Sequence, residues 1–437
     1  MSSDEEARRK REKPHCTAAQ VIAFVRTRWK LTSGDGVDIY GDIDDASATE
    51  LNSYDDRNFR VRVTNGATHT QYTLKVHNGV ESQMPQLLAA QSGIMRHLNS
   101  HGVPAPMPVR PTATTAAGTA STGQSDTVPV DANQSDTVLL ETLPASDGQS
   151  ESSADASAVE LDAPAGDRDC DWEFLELPLT GGGGAETHRR HAVRVLTWVH
   201  GEIAEQSSRV VHTPAFMRSI GAFIGHASTA LESFHHVGAE RWHLWDNANV
   251  LSVRQLAHAV DDLANRATVE QVLIDFETKV LPVAGELRKG VLQNDANDQN
   301  IVVQVGDASG ECIPVGLLDF GDMLVSWRVN DIAISLAYFM LGKEDPVGDA
   351  ALMLAGFEST FPLTDNERRL LPTLIAARLV CSCVCGAYSA AADPANQTYL
   401  LLTQKPGWAA LSAIRTAGDE ACLRRFAEAA AVSHPQL

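Results

Sequence analysis

Two polar loops nineteen residues apart constrain this chain more than any other feature. The first, Gln293-Asn294-Asp295-Ala296-Asn297-Asp298-Gln299-Asn300, sets Asp295 and Asn300 in a D-x-x-x-x-N arrangement; the second is Asp319-Phe320-Gly321-Asp322. Phosphoryl transfer uses one carboxylate beside the attacking hydroxyl, with an amide oxygen and a second carboxylate on Mg²⁺. Asp295, Asn300 and Asp319 have those types in that order. Residues 301–304 and 313–318 read as short apolar strands, and residues 306–310 as a turn. A hairpin of that length would bring Asn300 and Asp319 side by side, close enough to share a metal. Two plainer readings are weaker. A surface turn leaves the D-F-G unexplained. A helix–loop–helix Ca²⁺ site wants Gly at loop position six and Glu at twelve, whereas counting from Asp295 gives Asn300 and Gly306. The spacing predicts a kinase-type site.

Such a site also needs a cation for the nucleotide phosphates. In Gln71-Tyr72-Thr73-Leu74-Lys75-Val76, strand alternation sends Tyr72, Leu74 and Val76 to one face and Lys75 to the other. A lone strand Lys is usually a solvated one. Lys75, however, precedes the Asp295 loop and stands just before an expected helix at about 85–99, which favours a cleft position.

Taken together, these residues resemble the aminoglycoside phosphotransferase and choline kinase superfamily, and within it the hydroxylysine kinase branch. Residues 51–61, containing Ser53-Tyr54-Asp55-Asp56-Arg57-Asn58-Phe59, are similar to its nucleotide-covering hairpin, and residues 72–76 to its lysine strand. Residues 193–201, with Leu196-Thr197-Trp198-Val199-His200-Gly201, resemble the link between lobes that faces the base. Residues 294–303 and 316–322 match the catalytic and metal loops. The resemblance implies that Asp295 takes or orients the hydroxyl proton and that Asn300 and Asp319 hold Mg²⁺. It implies that Lys75 pairs with the α/β-phosphates, with Arg57, Leu196 and Trp198 beside the nucleotide. Asp331 would support the catalytic loop through its backbone amides, or simply cap the helix that follows. Two departures stand out. Gln293 replaces the family's usual His, and Gln91 stands where an acidic partner for Lys75 is expected.

A hydrophobic content of 43% over 437 residues supports sizeable cores in more than one lobe. The expected class is α+β, a bilobal protein-kinase-like fold with a small antiparallel-sheet N-lobe and a mainly helical C-lobe. Residues 1–15 read as a disordered, solvated tail, 16–195 as the nucleotide-binding lobe, and 196–437 as the catalytic and substrate-binding lobe. Apolar periodicity predicts packed helices over 216–234 and 368–388. An acidic, Ala/Ser/Thr-rich stretch at about 111–170 repeats Gln-Ser-Asp-Thr-Val at 124–128 and 134–138. Its composition cannot offset its ordering entropy, so it reads as a disordered insertion. Four glycines at 181–184 lack the Lys-Ser/Thr of a phosphate loop and read as a flexible turn.

The net charge of −21 is concentrated there: residues 105–176 hold fourteen Asp/Glu against Arg110 and Arg168, which leaves about −9 elsewhere. Without a basic face, nucleic acid is not an expected partner. No apolar run looks long enough for a bilayer, and the N-terminus lacks an apolar signal core. Seven cysteines show no disulfide or zinc spacing, and Cys381, Cys383 and Cys385 read as core packing in a helix. The expectation is a cytoplasmic enzyme without a membrane partner. The family implies GTP, or ATP, and a small hydroxylated amine or amino acid, 5-hydroxy-L-lysine in this branch. Asp246, Asp298 and Asp322 are candidates for its ammonium, or else caps and supports. Another amino alcohol, choline or an aminoglycoside remains an alternative acceptor, and a non-catalytic nucleotide-binding relative a third.

Overall fold

Alternating apolar residues along 57–76 build the first hairpin. In the computed structural model, which describes residues 2–32, 41–112, 170–178, 188–207, 209–306 and 312–433, strand β1 (Asp42–Leu51) pairs antiparallel with β2 (Arg57–Asn65), and β2 with β3 (Thr68–Val76). Phe59, Val61 and Val63 of β2 and Tyr72, Leu74 and Val76 of β3 are buried. The turn between them puts Gly66 at φ +61°, a conformation open to glycine at no steric cost. Strands β4 (Pro108–Val109), β5 (Trp172–Pro178) and β6 (His188–Thr197) complete a six-stranded sheet. Its order is β1-β2-β3-β6, with β4 and β5 both on the far edge of β6. The repeats at 124–138, the acidic insertion apart from its ends, and the glycines at 181–184 lie outside the described residues.

Helix α1 (Ser2–Arg11) corrects one expectation: the charged start is helical, not a disordered tail. Composition suggested solvation, but buried carboxylates elsewhere in the chain claim Arg9, which is only 6% exposed. Helix α2 (Ala18–Arg28) starts at a Thr17/Gln20 capping box and covers the sheet with Val21, Ile22 and Val25. After α3 (Gly79–Ser82), helix α4 (Pro85–Ser100) joins the sheet to the helical region. Leu88 packs on Trp172 and Ala192, whereas Leu87, Ile94, Met95 and Leu98 enter the larger helical core.

Beyond β6 the chain turns through Gly201 at φ +144° into β7 (Glu202–Ile203), which pairs with β9 (Ile301–Val305). Strand β9 also pairs with β10 (Cys312–Leu317), and β8 (Lys289–Leu292) pairs with β11 (Leu324–Trp327). The β8–β9 loop holds residues 293–300 and the β10–β11 loop residues 318–323. Because their flanking strands pair, both loops emerge together. Around them stand α5 (Pro214–Ala230), α6 (Leu263–Lys279), α7 (Val329–Phe339), α8 (Pro346–Glu358), α9 (Asp365–Ala392), α10 (Gln397–Leu400), α11 (Gln404–Ala417) and α12 (Asp419–Ser433).

Helix α9 overturns a second expectation. It is long and apolar enough to cross a bilayer, but 94% of its most apolar window is buried inside the protein. Cys381, Cys383 and Cys385 are all buried on it, since neighbours surround it on every side. The expected lobe boundary at 195–196 falls two residues before β6 ends. Met1–Thr112 and Cys170–Leu437 pack as one unit.

Candidate active site

Asp295 sits in a loop held almost wholly by its own amides. Its carboxylate accepts hydrogen bonds from Asn300 Nδ2 (2.8 Å), Asn297 Nδ2 (3.0 Å) and Arg378 Nη2 (3.0 Å). Its backbone N–H donates to Gln293 Oε1 at 2.7 Å, while Gln293 Nε2 donates to the carbonyls of Leu318 (3.0 Å) and Asp319. Gln293 therefore pins the two loops together, a structural task that an amide performs without charge. The Leu318 N–H meets the Asn300 carbonyl at 2.7 Å, the side-by-side placement the hairpin length predicts.

Both loops bend through left-handed backbone at Asn294 (φ +66°) and Asp319 (φ +47°). Asn and Asp tolerate that region best among non-glycine residues, and such local strain clusters at functional sites. Asp331 is 3% exposed and its Oδ1 accepts from the Asn294 N–H at 2.9 Å. It lies within the first turn of α7 and makes no N-cap bond, so loop support is its structural role.

Lys75 reaches the same place from the sheet. It is paired across strands with Asn58 and Arg194, and its ammonium stands 2.6 Å from Asp56 and 3.5 Å from Asp319. Burial opposes its charge, but Asp319, Asp56 and Glu81 outweigh that and hold its pKa above the ordinary lysine range. Gln91 does not serve it: the Gln91 carbonyl accepts instead from Arg194. The carboxylate partner comes from the β1–β2 turn, at Asp56.

Arg57 also departs from expectation. It shares the core-side face of β2 with Phe59, lies 5.5 Å over that ring and pairs with Glu50 at 2.6 Å. Period-two alternation puts Asn58 and Arg60, not Arg57, on the Lys75 face. Arg60 lies 4.5 Å over the Trp198 ring, and both line a cavity of about 980 Å³ with Leu196, Lys75, Asp295, Asn300 and Asp319.

Of the three candidate acids, Asp298 and Asp322 line this cavity. Asp246 does not. It caps the 3₁₀ run Asn247–Ala259 through the Ala248 N–H (3.0 Å) and accepts from Ser326 Oγ (2.7 Å). Burial, then Asp322 and Asp319, push Asp295 up to about 8 against the opposing Arg378 guanidinium. Burial raises Asp322 to about 6, with Arg241 and Arg378 opposing, and raises Asp298 to about 6, with Glu205 adding.

Arg378, 1% exposed, escaped the sequence reading. It donates to the Trp245 carbonyl at 2.7 Å and lies 5.1 Å over the Trp245 ring and 5.3 Å over that of Tyr338. Its signal was a lone Arg in the apolar run of α9, where an unpaired charge is not tolerated. Arg9 and Glu81 were also missed, because they meet across 72 residues, and Asp56 because strand alternation does not fix the direction of a turn residue. Asp56, His77 and Glu81 are close enough to hold a metal. Yet Arg194 Nε donates to His77 Nε2 (2.8 Å), the His77 Nδ1 side meets Glu81 (3.1 Å), and Lys75 neutralises Asp56. This is an ion-pair network with its positive charges already in place.

Comparison with known proteins bears on the whole arrangement. Residues 177–370 match the model of the phosphotransferase enzyme family. A hydroxylysine kinase of Xenopus laevis is 31% identical over 393 residues, covering 87% of this chain and 88% of that one. One of Mus musculus is 30% identical over 383 residues, covering 85% of each. Among solved structures, an amicoumacin kinase bound to AMP-PNP and Ca²⁺ superposes with a TM-score of 0.52 at 13% identity, covering 93% of this chain and 97% of that one. A microcompartment-associated aminopropanol kinase gives 0.51 at 15%, covering 89% and 95%. These two establish the bilobal kinase-like fold. The long match to the Xenopus and mouse enzymes, whose span takes in both loops and the lysine strand, places the chain in the hydroxylysine kinase family, as a small-molecule phosphotransferase with an alcohol acceptor.

Proposed function

We propose that the chain transfers the γ-phosphate of GTP, or of ATP, to the hydroxyl of a small hydroxylated amine or amino acid, with 5-hydroxy-L-lysine as the acceptor its relatives suggest. The observation that carries this reading is the run of contacts in one cavity: Lys75 to Asp319, and Asp295 to Asn300 and Arg378.

In this reading Asp295 receives the acceptor's hydroxyl proton. A base titrating near neutrality suits that task, and Arg378 steadies its carboxylate. Lys75 draws the α/β-phosphates into line, with Leu196 and Trp198 against the base. Asp298 and Asp322 face the acceptor's ammonium. Residues 16–195 then form the nucleotide-binding lobe and 196–437 the catalytic and substrate-binding lobe, with Leu196 and Trp198 where the two meet.

Asn300 and Asp319 fit a hard divalent cation such as Mg²⁺. The Asn300 NH₂ is spent on Asp295, so its carbonyl oxygen is what it can offer. Asp319 adds a half-exposed carboxylate, giving the all-oxygen set such ions prefer. When bound, the ion neutralises charge on the phosphates. Seven free thiols support a reducing, cytoplasmic setting.

Nucleotide consumption by purified protein with Mg²⁺ tests the proposal, with GTP and ATP each offered against 5-hydroxylysine, lysine, choline and ethanolamine. Turnover with 5-hydroxylysine but not lysine is expected. Turnover only with another alcohol would reassign the acceptor, and silence with nucleotide still bound would argue for a non-catalytic relative.

A further inference from the structure

The N-terminal helix approaches the nucleotide wall closely. Arg9 of α1 reaches Asp55 Oδ2 through Nη1 at 2.7 Å and Glu81 Oε1 through Nη2 at 3.0 Å. Asp55 is the chain neighbour of Asp56, which holds Lys75. Asn78 ties these pieces together. Its N–H donates to Asp56 Oδ1 (2.7 Å), and its Nδ2 donates to the carbonyls of Arg9 (2.7 Å) and Asp55 (3.2 Å). The Gly79 N–H meets the Glu12 carbonyl at 2.9 Å, and Lys10 Nζ lies 3.3 Å from the Tyr54 ring centroid. Arg9, Tyr54, Asp55, Asp56, Lys75 and Glu81 all line the cavity.

We propose that Arg9 is a positioning residue for the nucleotide site, and that α1 serves as a strap holding the β1–β2 turn so that Asp56 presents Lys75 to the phosphates. This rests on the reading that Lys75 binds those phosphates. The physical case is one of charge balance. Asp55, Asp56 and Glu81 are buried carboxylates, and Arg9, Lys75 and Arg194 are the buried cations around them. Removing one partner from such a cluster leaves an uncompensated buried charge. Without Arg9, Asp55 and Glu81 would compete with Asp56 for Lys75 and draw its ammonium away from the phosphates. When a triphosphate enters and Lys75 turns towards it, Arg9 keeps Asp55 and Glu81 paired and the turn in place. A planar guanidinium spans two carboxylates at once, which an ammonium does less well.

Equilibrium binding of a fluorescent GTP or ATP analogue with Mg²⁺ tests this without depending on the acceptor. Arg9→Ala should weaken nucleotide binding about tenfold, and Arg9→Lys should recover part of the loss. Arg8→Ala, at a half-buried neighbour that pairs with Glu12, should bind as the parent does. Lys75→Ala should weaken binding at least as much as Arg9→Ala. Combining Arg9→Ala with Lys75→Ala should add little, because Arg9 acts through Lys75. Should Arg9→Ala fail to fold, Arg9→Gln keeps much of the side chain's length, removes the charge that holds Asp55 and Glu81, and carries the same expectation. Parent-like binding by Arg9→Ala or Arg9→Gln beside a weakened Lys75→Ala overturns the proposal alone, as do losses that multiply in the double variant. Parent-like binding by Lys75→Ala overturns the reading of Lys75, and the proposal with it.

Discussion

The two walls of the cleft hold their reactive groups by opposite means. On the sheet side, the Lys75 ammonium is held by Asp56 and Asp319, with Glu81 adding to their field and Arg9 paired to Glu81. On the loop side, Asp295 is set by Gln293, Asn297, Asn300 and the Asn294–Asp331 bond, with Arg378 as the one cation in contact among the described residues. The contrast follows from the backbone. A strand fixes its side chain's direction by pairing alone, so the sheet wall needs charges only to balance the buried ammonium. A loop has no ladder, so side-chain amides must take the place of backbone pairing. The stability of the sheet wall should therefore respond to charge and to acid, and the placement of Asp295 to geometry.

The largest effect should come from the loop wall. Asp295→Ala is expected to lower kcat about 10²- to 10⁴-fold while leaving nucleotide affinity near the parent value; an equal loss in affinity would erase the division between walls. Next comes pH. Arg194 can only donate, so His77 Nε2 accepts and the ring is neutral. Burial and the nearby Arg194 push its pKa down to about 3 from the ordinary 6.5. The unfolded chain then takes up a proton that the folded one refuses. Stability is full above 6.5 and is lost as pH falls towards 3, by about 1.4 kcal/mol per pH unit. His77→Gln should flatten this acid-side slope in denaturant titrations, and an unchanged slope would count against a charge-balanced wall.

A gentler probe of the loop wall is Asp331→Asn, which keeps the shape but weakens the acceptor for the Asn294 N–H. It should cost about 1 kcal/mol in stability and reduce kcat with nucleotide affinity unchanged, as steady-state kinetics would reveal. The smallest effect belongs to Arg57→Ala. Its pair with Glu50 lies at the surface and is worth about 0–1 kcal/mol, so nucleotide affinity should stay within about twofold of the parent. A clear loss would return Arg57 to the cleft face.

Wherever a rule of short range sufficed, the sequence was enough. Loop spacing and strand alternation located Asp295, Asn300, Asp319 and Lys75, because a hairpin's length and a period of two are local quantities. The same period, applied to residues 57–60, would have moved the nucleotide-facing assignment from Arg57 to Asn58 and Arg60. Asp246 illustrates a different limit: a capping Asp and a cleft Asp look alike until the partner N–H is located. Gln91 was assigned by its place in the helix after Lys75, but facing Lys75 depends on helix rotation, which the packing of Leu87, Leu88 and Ile94 decides.

The sequence by itself determined local placement: which carboxylates and amide the two loops bring side by side, and which strand brings the lysine. Only the tertiary structure decided which charges meet. Arg9 joins Asp55 and Glu81 across 46 and 72 residues, and Arg378 joins Asp295 across 83. No local pattern encodes such pairs. Their cause is the cost of leaving a buried charge unpaired, and that cost arises only when the fold removes the water.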